Sequence, residues 1–134
     1  MEDEYELLEA TIGLGVQICK FTSIEEYTEI LGDFSYSLDD VAKKLLKILK
    51  ENNAPNNKFP CLRRYAIELA IWMMESNAPS ISDFKSGNLK NVLTMVAETT
   101  SDLENFHFFS GDVGVAKHPQ TISSLVLKAK RLLA

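Results

Sequence analysis

Residues 59–77 read FPCLRRYAIELAIWMMESN, the one long segment of the chain that is apolar on nearly every side. Projected at about 100° per residue, Leu62, Tyr65, Ala66, Leu69 and Met73 form one broad face, flanked by Ile67, Ile71 and Met74 on one side and by Trp72 on the other. What remains polar is a narrow stripe of Arg64, Glu68 and Glu75, with Arg63 off to one side. A helix with this pattern is enclosed by several neighbours at once, since any apolar flank left in water forfeits its burial energy. The segment predicts an all-α fold in which the other elements wrap residues 59–77.

The flanking sequence supplies those elements. On the N-terminal side, Ser37 opens a regular helix with Asp39 and Asp40 in its first turn and Lys47 and Lys50 near its end, matching the helix dipole at both termini. Its apolar arc carries Leu38, Val41, Ala42, Leu45, Leu46, Ile48 and Leu49, opposite a lysine-rich stripe (Lys43, Lys44, Lys47, Lys50) that reads as a solvated face or a docking patch. Residues 51–58, ENNAPNNK, are a turn-rich connection inside one domain. Further upstream, Ser23-Ile-Glu-Glu26 is a capping-box pattern that starts a short helix through Leu31, with Gly32 as its stop. Tyr5 to Lys20 has helical spacing interrupted by Gly13 and Gly15, residues that mark close helix packing, a hinge or close ligand approach.

On the C-terminal side a one- or two-turn helix begins near Pro79 and closes at Gly87. Asn88 caps a further helix carrying Leu89, Val92, Leu93, Val96, Thr100 and Leu103, weakened at Thr99-Thr100-Ser101. Residues 106–119, FHFFSGDVGVAKHP, lack a helical period, and Pro119 or Thr121 opens a last helix with Ile122, Leu125, Val126, Ala129, Leu132 and Leu133 inward.

With 134 residues the chain fits one domain, large enough to bury roughly two thirds of its unfolded surface. A net charge of −5 argues against a phosphate-backbone binder, which needs a concentrated basic surface, so nucleic acid is not an expected partner. No run reaches the roughly 18 apolar residues of a membrane span, and the acidic start MEDEYELLEA is unlike a signal segment; a cytoplasmic or nuclear setting is expected. Cys19 and Cys61 sit in apolar helical patterns and are expected as buried, reduced thiols.

Candidate chemistry is sparse. Gly111-Asp-Val-Gly114 lacks the GK[ST] and GxGxxG contexts of phosphate loops, and His107 and His118 have no partner at metal-ligand spacing, so no cofactor and no metal are expected. A Cys61 or Cys19 nucleophile served by His107 is conceivable, but neither cysteine has an electropositive setting in the sequence. Trp72, alone of its kind, reads as a helix contact or as a binding anchor.

The order short helix, longer helix, long helix occurs over 23–32, 37–52 and 59–77 and recurs over 79–86, 88–105 and 119–133. This order resembles the three-helix unit of armadillo repeats. ISDFKSGNLKNVLTMV looks like that family's passage from a first helix through a glycine into a second, and RRYAIELAIWMM looks like a third helix. ETTSDLENF followed by SGDVGVAKHPQTISSLV is similar to the C-terminal ends of plant armadillo-like proteins. The resemblance covers residues 23–133, with 5–20 as the third helix of a preceding unit. It implies a short right-handed helical stack of armadillo/HEAT-like type, of about six or seven helices. Its implied role is non-enzymatic protein–protein interaction. The third helix lines the family's groove, so the implied partner-binding residues are Arg63, Arg64, Glu68, Trp72 and Glu75. Two other readings stay open: a helical bundle serving in self-association or as a structural subunit, and a small enzyme or ligand carrier with a pocket walled by residues 106–119.

Overall fold

A computed structural model describes residues 11–13, 15–16, 18–19, 21–52, 62–99 and 121–134. The described residues form six named helices: α1 (Ile24–Asp33), α2 (Leu38–Glu51), α3 (Leu62–Ser76), α4 (Ala78–Ser86), α5 (Leu89–Thr99) and α6 (Ile122–Leu133). The described part of residues 11–19 is helical as well, and no described residue is in a strand. The protein is all-α. Cys61, His107, His118, Gly111, Gly114, most of the connection after α2 and the whole 106–119 segment lie outside the described residues.

The capping chemistry read from the sequence sets most boundaries. Ser37 Oγ accepts from the Asp40 N–H at 3.2 Å while Asp40 Oδ2 accepts from the Ser37 N–H at 2.9 Å, a complete capping box that starts α2. Ser23 Oγ accepts from the Glu26 N–H at 3.2 Å and starts α1. Thr121 Oγ1 accepts from the Ser124 N–H at 3.1 Å, so Thr121 opens α6. The joint between α3 and α4 is a single residue: Asn77 N–H donates to the Met73 carbonyl at 2.8 Å, and its side-chain amide donates to Ser80 Oγ at 2.9 Å.

One stop differs from expectation. α1 runs through Gly32 to Asp33, and the left-handed residue is Ser35 (φ 63°). The Ser35 N–H donates to the Gly32 carbonyl at 3.0 Å and the Tyr36 N–H to the Leu31 carbonyl at 2.9 Å. These two bonds satisfy the orphan carbonyls in a Schellman arrangement, which fixes the exit without a left-handed glycine. Asn88 (φ 62°) likewise holds the left-handed position between α4 and α5, which asparagine tolerates better than most residues.

Packing follows from the apolar arcs. Eleven of the fifteen residues of α3 are buried, among them Ala66, Ile67 and Met73 at 0% exposure. α3 packs on α6, α2 and α4; α5 packs on α6 and α2; α4 bridges α2, α5 and α6. Full burial of residues such as Ile67, Met73, Leu89 and Ile122 contributes about 1.5–3 kcal/mol apiece. The expected enclosure of the central segment is therefore present. α1 is the exception, with no buried residue.

Two glycines carry packing roles. A Cβ on Gly13 would lie 2.8 Å from Tyr65 Cε2, so the N-terminal segment approaches α3 more closely than a side chain there permits. A Cβ on Gly87 would overlap the Leu46 Cδ1 methyl, which is how the α4–α5 corner seats on α2. Gly15 differs, since a Cβ there would meet nothing within 4 Å.

Candidate functional site

On α3, positions 64, 68, 71, 72 and 75 return to one side of the helix at the 3.6-residue period, so the polar stripe seen in the sequence has to share a face. In the structure that face opens on a cleft of about 290 Å³ formed with α6 and the N-terminal segment. Arg64, Glu68, Trp72 and Glu75 all line it. Four of the five residues singled out in the sequence are thus brought together.

Arg63 is not among them. One residue's step of about 100° turns it away from the cleft, and its side chain is 2% exposed, with Nη1 donating to Thr99 Oγ1 on α5 at 2.8 Å. Arg63, named with the implied partner-binding residues, does not share their face: its guanidinium is an internal tie between α3 and α5. Thr99 Oγ1 can accept it while donating to the Met95 carbonyl at 2.9 Å, so the hydroxyl is used in both senses.

Two ion pairs order the cleft wall. Arg64 Nε donates to Glu68 Oε1 at 3.0 Å with side chains 9% and 24% exposed, so this pair is held in partial burial. Further along α3, Glu75 Oε2 meets Lys128 Nζ of α6 at 3.4 Å with both side chains near half exposure, so water screens it more. Leu69, Ile71 and Leu125 supply apolar floor between the charges. The two pairs lie roughly 10 Å apart along the axis, about seven residues at 1.5 Å each.

Trp72 is half-buried at the edge of this floor and stands edge-to-face against Tyr27 of α1, with ring centroids 5.2 Å apart and planes at 88°. The helix-contact reading of the tryptophan is present in this Tyr27 pair, and Trp72 also lines the cleft. Burial pushes the Tyr27 hydroxyl up from its ordinary value, with nearby Cys19 adding to the rise.

Cys19 also borders the cleft, as a free thiol only 5% exposed. Desolvation pushes its pKa up to about 11, so it stays protonated at neutral pH, the opposite of what a thiolate nucleophile requires. Among the described residues no group of three or more His, Cys, Asp or Glu side chains could hold a metal ion, and no helix is long and apolar enough to cross a membrane.

The lysine stripe of α2 is exposed to solvent. Lys43 pairs with Asp39 at 2.9 Å and Lys47 with Glu51 at 3.9 Å, both within the helix and largely exposed. The α6 contribution to the cleft, Leu125 and Lys128, was not legible as site sequence, because Lys128 reads locally as a dipole-matched cation near a helix end. No family profile, curated protein or solved structure matches this chain.

Proposed function

We propose that this chain is a non-enzymatic protein–protein interaction module of armadillo-like helical-repeat type, which receives its partner along the α3–α6 cleft. The observation that carries the reading is the meeting of Arg64, Glu68, Trp72 and Glu75 on one open face with a half-buried aromatic beside two ion pairs. Such a surface offers an apolar anchor and charges of both signs at fixed spacing, the makings of protein recognition. The repeat reading draws support from like packing on like. The longer helix of the first unit, α2, packs on α5, its counterpart in the second, and α3 packs on α6. A stack of equivalent units requires both pairings.

The buried free thiol of Cys19 accords with work in the reducing cytoplasm or nucleus. The test is capture of protein partners by the intact chain against a variant carrying Arg64→Ala, Glu68→Ala and Trp72→Ala, with circular dichroism as the check on folding. Loss of capture by a folded variant supports the cleft; undiminished capture by it refutes the assignment.

Self-association is the second reading, favoured by apolar exposure at and near α1: Phe21 at 90%, Phe34 at 72% and Ile30 at 51%. Light scattering at high concentration separates the two readings, since a persistent monomer removes the second.

A further inference from the structure

A second, half-open cavity, of about 380 Å³, is bordered by the N-terminal segment, α1, α2 and α3 and shares Leu69 with the cleft. Its volume falls at the small end of the roughly 300–1,000 Å³ usual for small-molecule sites. The walls are apolar: Ile12, Leu31, Val41, Leu45 and Ile48 line it together with Leu69. Its exposed lining residues, Thr11, Tyr36, Asp40 and Lys44, mark the open side.

Two features make this more than a packing gap. Gly15 lines the cavity and is helical, and a Cβ there would meet nothing within 4 Å, so the absent side chain adds space that packing does not require. At the mouth the charges are unequally committed. Asp40 Oδ2 accepts from both the Ser37 N–H at 2.9 Å and the Ser37 hydroxyl at 3.0 Å, so its hydrogen bonding is turned toward the helix cap. On the same helix Lys43 and Lys47 are ion-paired, whereas Lys44 makes no ion pair among the described residues. Tyr36, 54% exposed, lines the same cavity and carries a hydroxyl able to donate.

We propose that this cavity is a binding site for a small molecule with an apolar chain and a carboxylate head, the chain lying against Leu31, Leu45 and Leu69 and the head held by Lys44 and Tyr36. The site is separate from the partner cleft and stands or falls independently of it. Leu69 lines both sites, and Tyr27, which lines this cavity, meets Trp72 of the cleft edge-to-face.

Isothermal titration of the intact chain with decanoate and with decanol, both below self-aggregation, tests the assignment. Saturable one-to-one binding is expected, with decanoate at least several-fold tighter than decanol. Gly15→Leu should abolish both while keeping the helical spectrum and melting no lower than the parent, because leucine is the better helix former. Lys44→Gln should bring decanoate down to the level of decanol and leave decanol unchanged. Absence of saturable heat, or equal binding by a folded Gly15→Leu variant, overturns the site. Equal affinities for decanoate and decanol in the parent chain overturn the carboxylate assignment.

Discussion

Arg63 Nη1 donates to Thr99 Oγ1 across 2.8 Å, joining α3 to α5 through a guanidinium that is 2% exposed, while its neighbour Arg64 turns the other way, into the cleft. Adjacent arginines of one helix, 2% and 7% exposed, are therefore both buried but meet different surroundings, one tied to α5 and one lining the cleft.

That division predicts opposite phenotypes. Arg63→Ala removes a buried charge-assisted hydrogen bond and the packing of a long aliphatic stem, and should lower stability by about 2–3 kcal/mol in denaturant unfolding. Partner capture per folded molecule should be unchanged. Arg64→Ala should act on capture. A stable Arg63→Ala protein that fails in capture would contradict the division.

The Gly87 contact with Leu46 predicts a coupled pair. Gly87 has φ −87°, so alanine there meets no backbone penalty, only the Leu46 methyl. Gly87→Ala should cost roughly 1–3 kcal/mol through overpacking. Leu46→Ala alone should cost about 2–5 kcal/mol through a cavity. Combined, the two should cost less than their sum, and strict additivity in the double-mutant cycle would mean that the two sites do not touch.

The α2 capping box makes an acid-side prediction. Asp40 is held below the usual carboxylate value, first by the Ser37 backbone N–H, then by the Ser37 hydroxyl. A depressed carboxyl stabilises the fold above its unfolded pKa of about 3.9, and that contribution is lost as pH falls through the lower folded value. Denaturant midpoints measured between about pH 2 and 6 should therefore fall less steeply toward acid in Asp40→Asn than in the parent. Parallel profiles would show that the cap is not titrating.

Cys19 makes a prediction at the alkaline end. Its pKa is raised to about 11 by burial, so the neutral thiol is favoured by folding. The associated stability is complete below the unfolded thiol value of about 8.5 and is lost as pH rises toward the folded value. In a Cys61→Ser background the remaining thiol should label slowly at pH 8 in the native state and rapidly once unfolded. Labelling of the native protein at the rate of a free small thiol would contradict the burial.

How much of this was legible in the sequence depends on whether the signal was local. The stripe of Arg64, Glu68, Trp72 and Glu75 shares a face because helical periodicity alone demands it, and Ser37 and Thr121 cap because their side chains reach backbone within three residues. Arg63 went astray because Thr99 lies 36 residues away in the chain, and local sequence gives no measure of which helix fills the space beside it. Lys128 joined the cleft for the same reason, through the packing of α6 on α3. Gly32 suggested a helix stop that a serine, two residues past the end of α1, makes instead, since the hydrogen bonds of the exit and not the presence of glycine decide where the chain turns. Gly13 and Gly15 looked alike in sequence and differ in the fold, one pressed on Tyr65 and the other bordering a cavity.

Everything proposed for the cleft requires that α3 be enclosed except along the stripe from Arg64 to Glu75. Native-state hydrogen exchange measures this directly. The amides from Ala66 to Met74 should exchange slowest, at the rate of global unfolding, while those of α1, which has no buried residue, exchange orders of magnitude sooner. Exchange in mid-α3 as fast as in α1 would mean that the central helix is not enclosed, and the cleft built on it would fall with it.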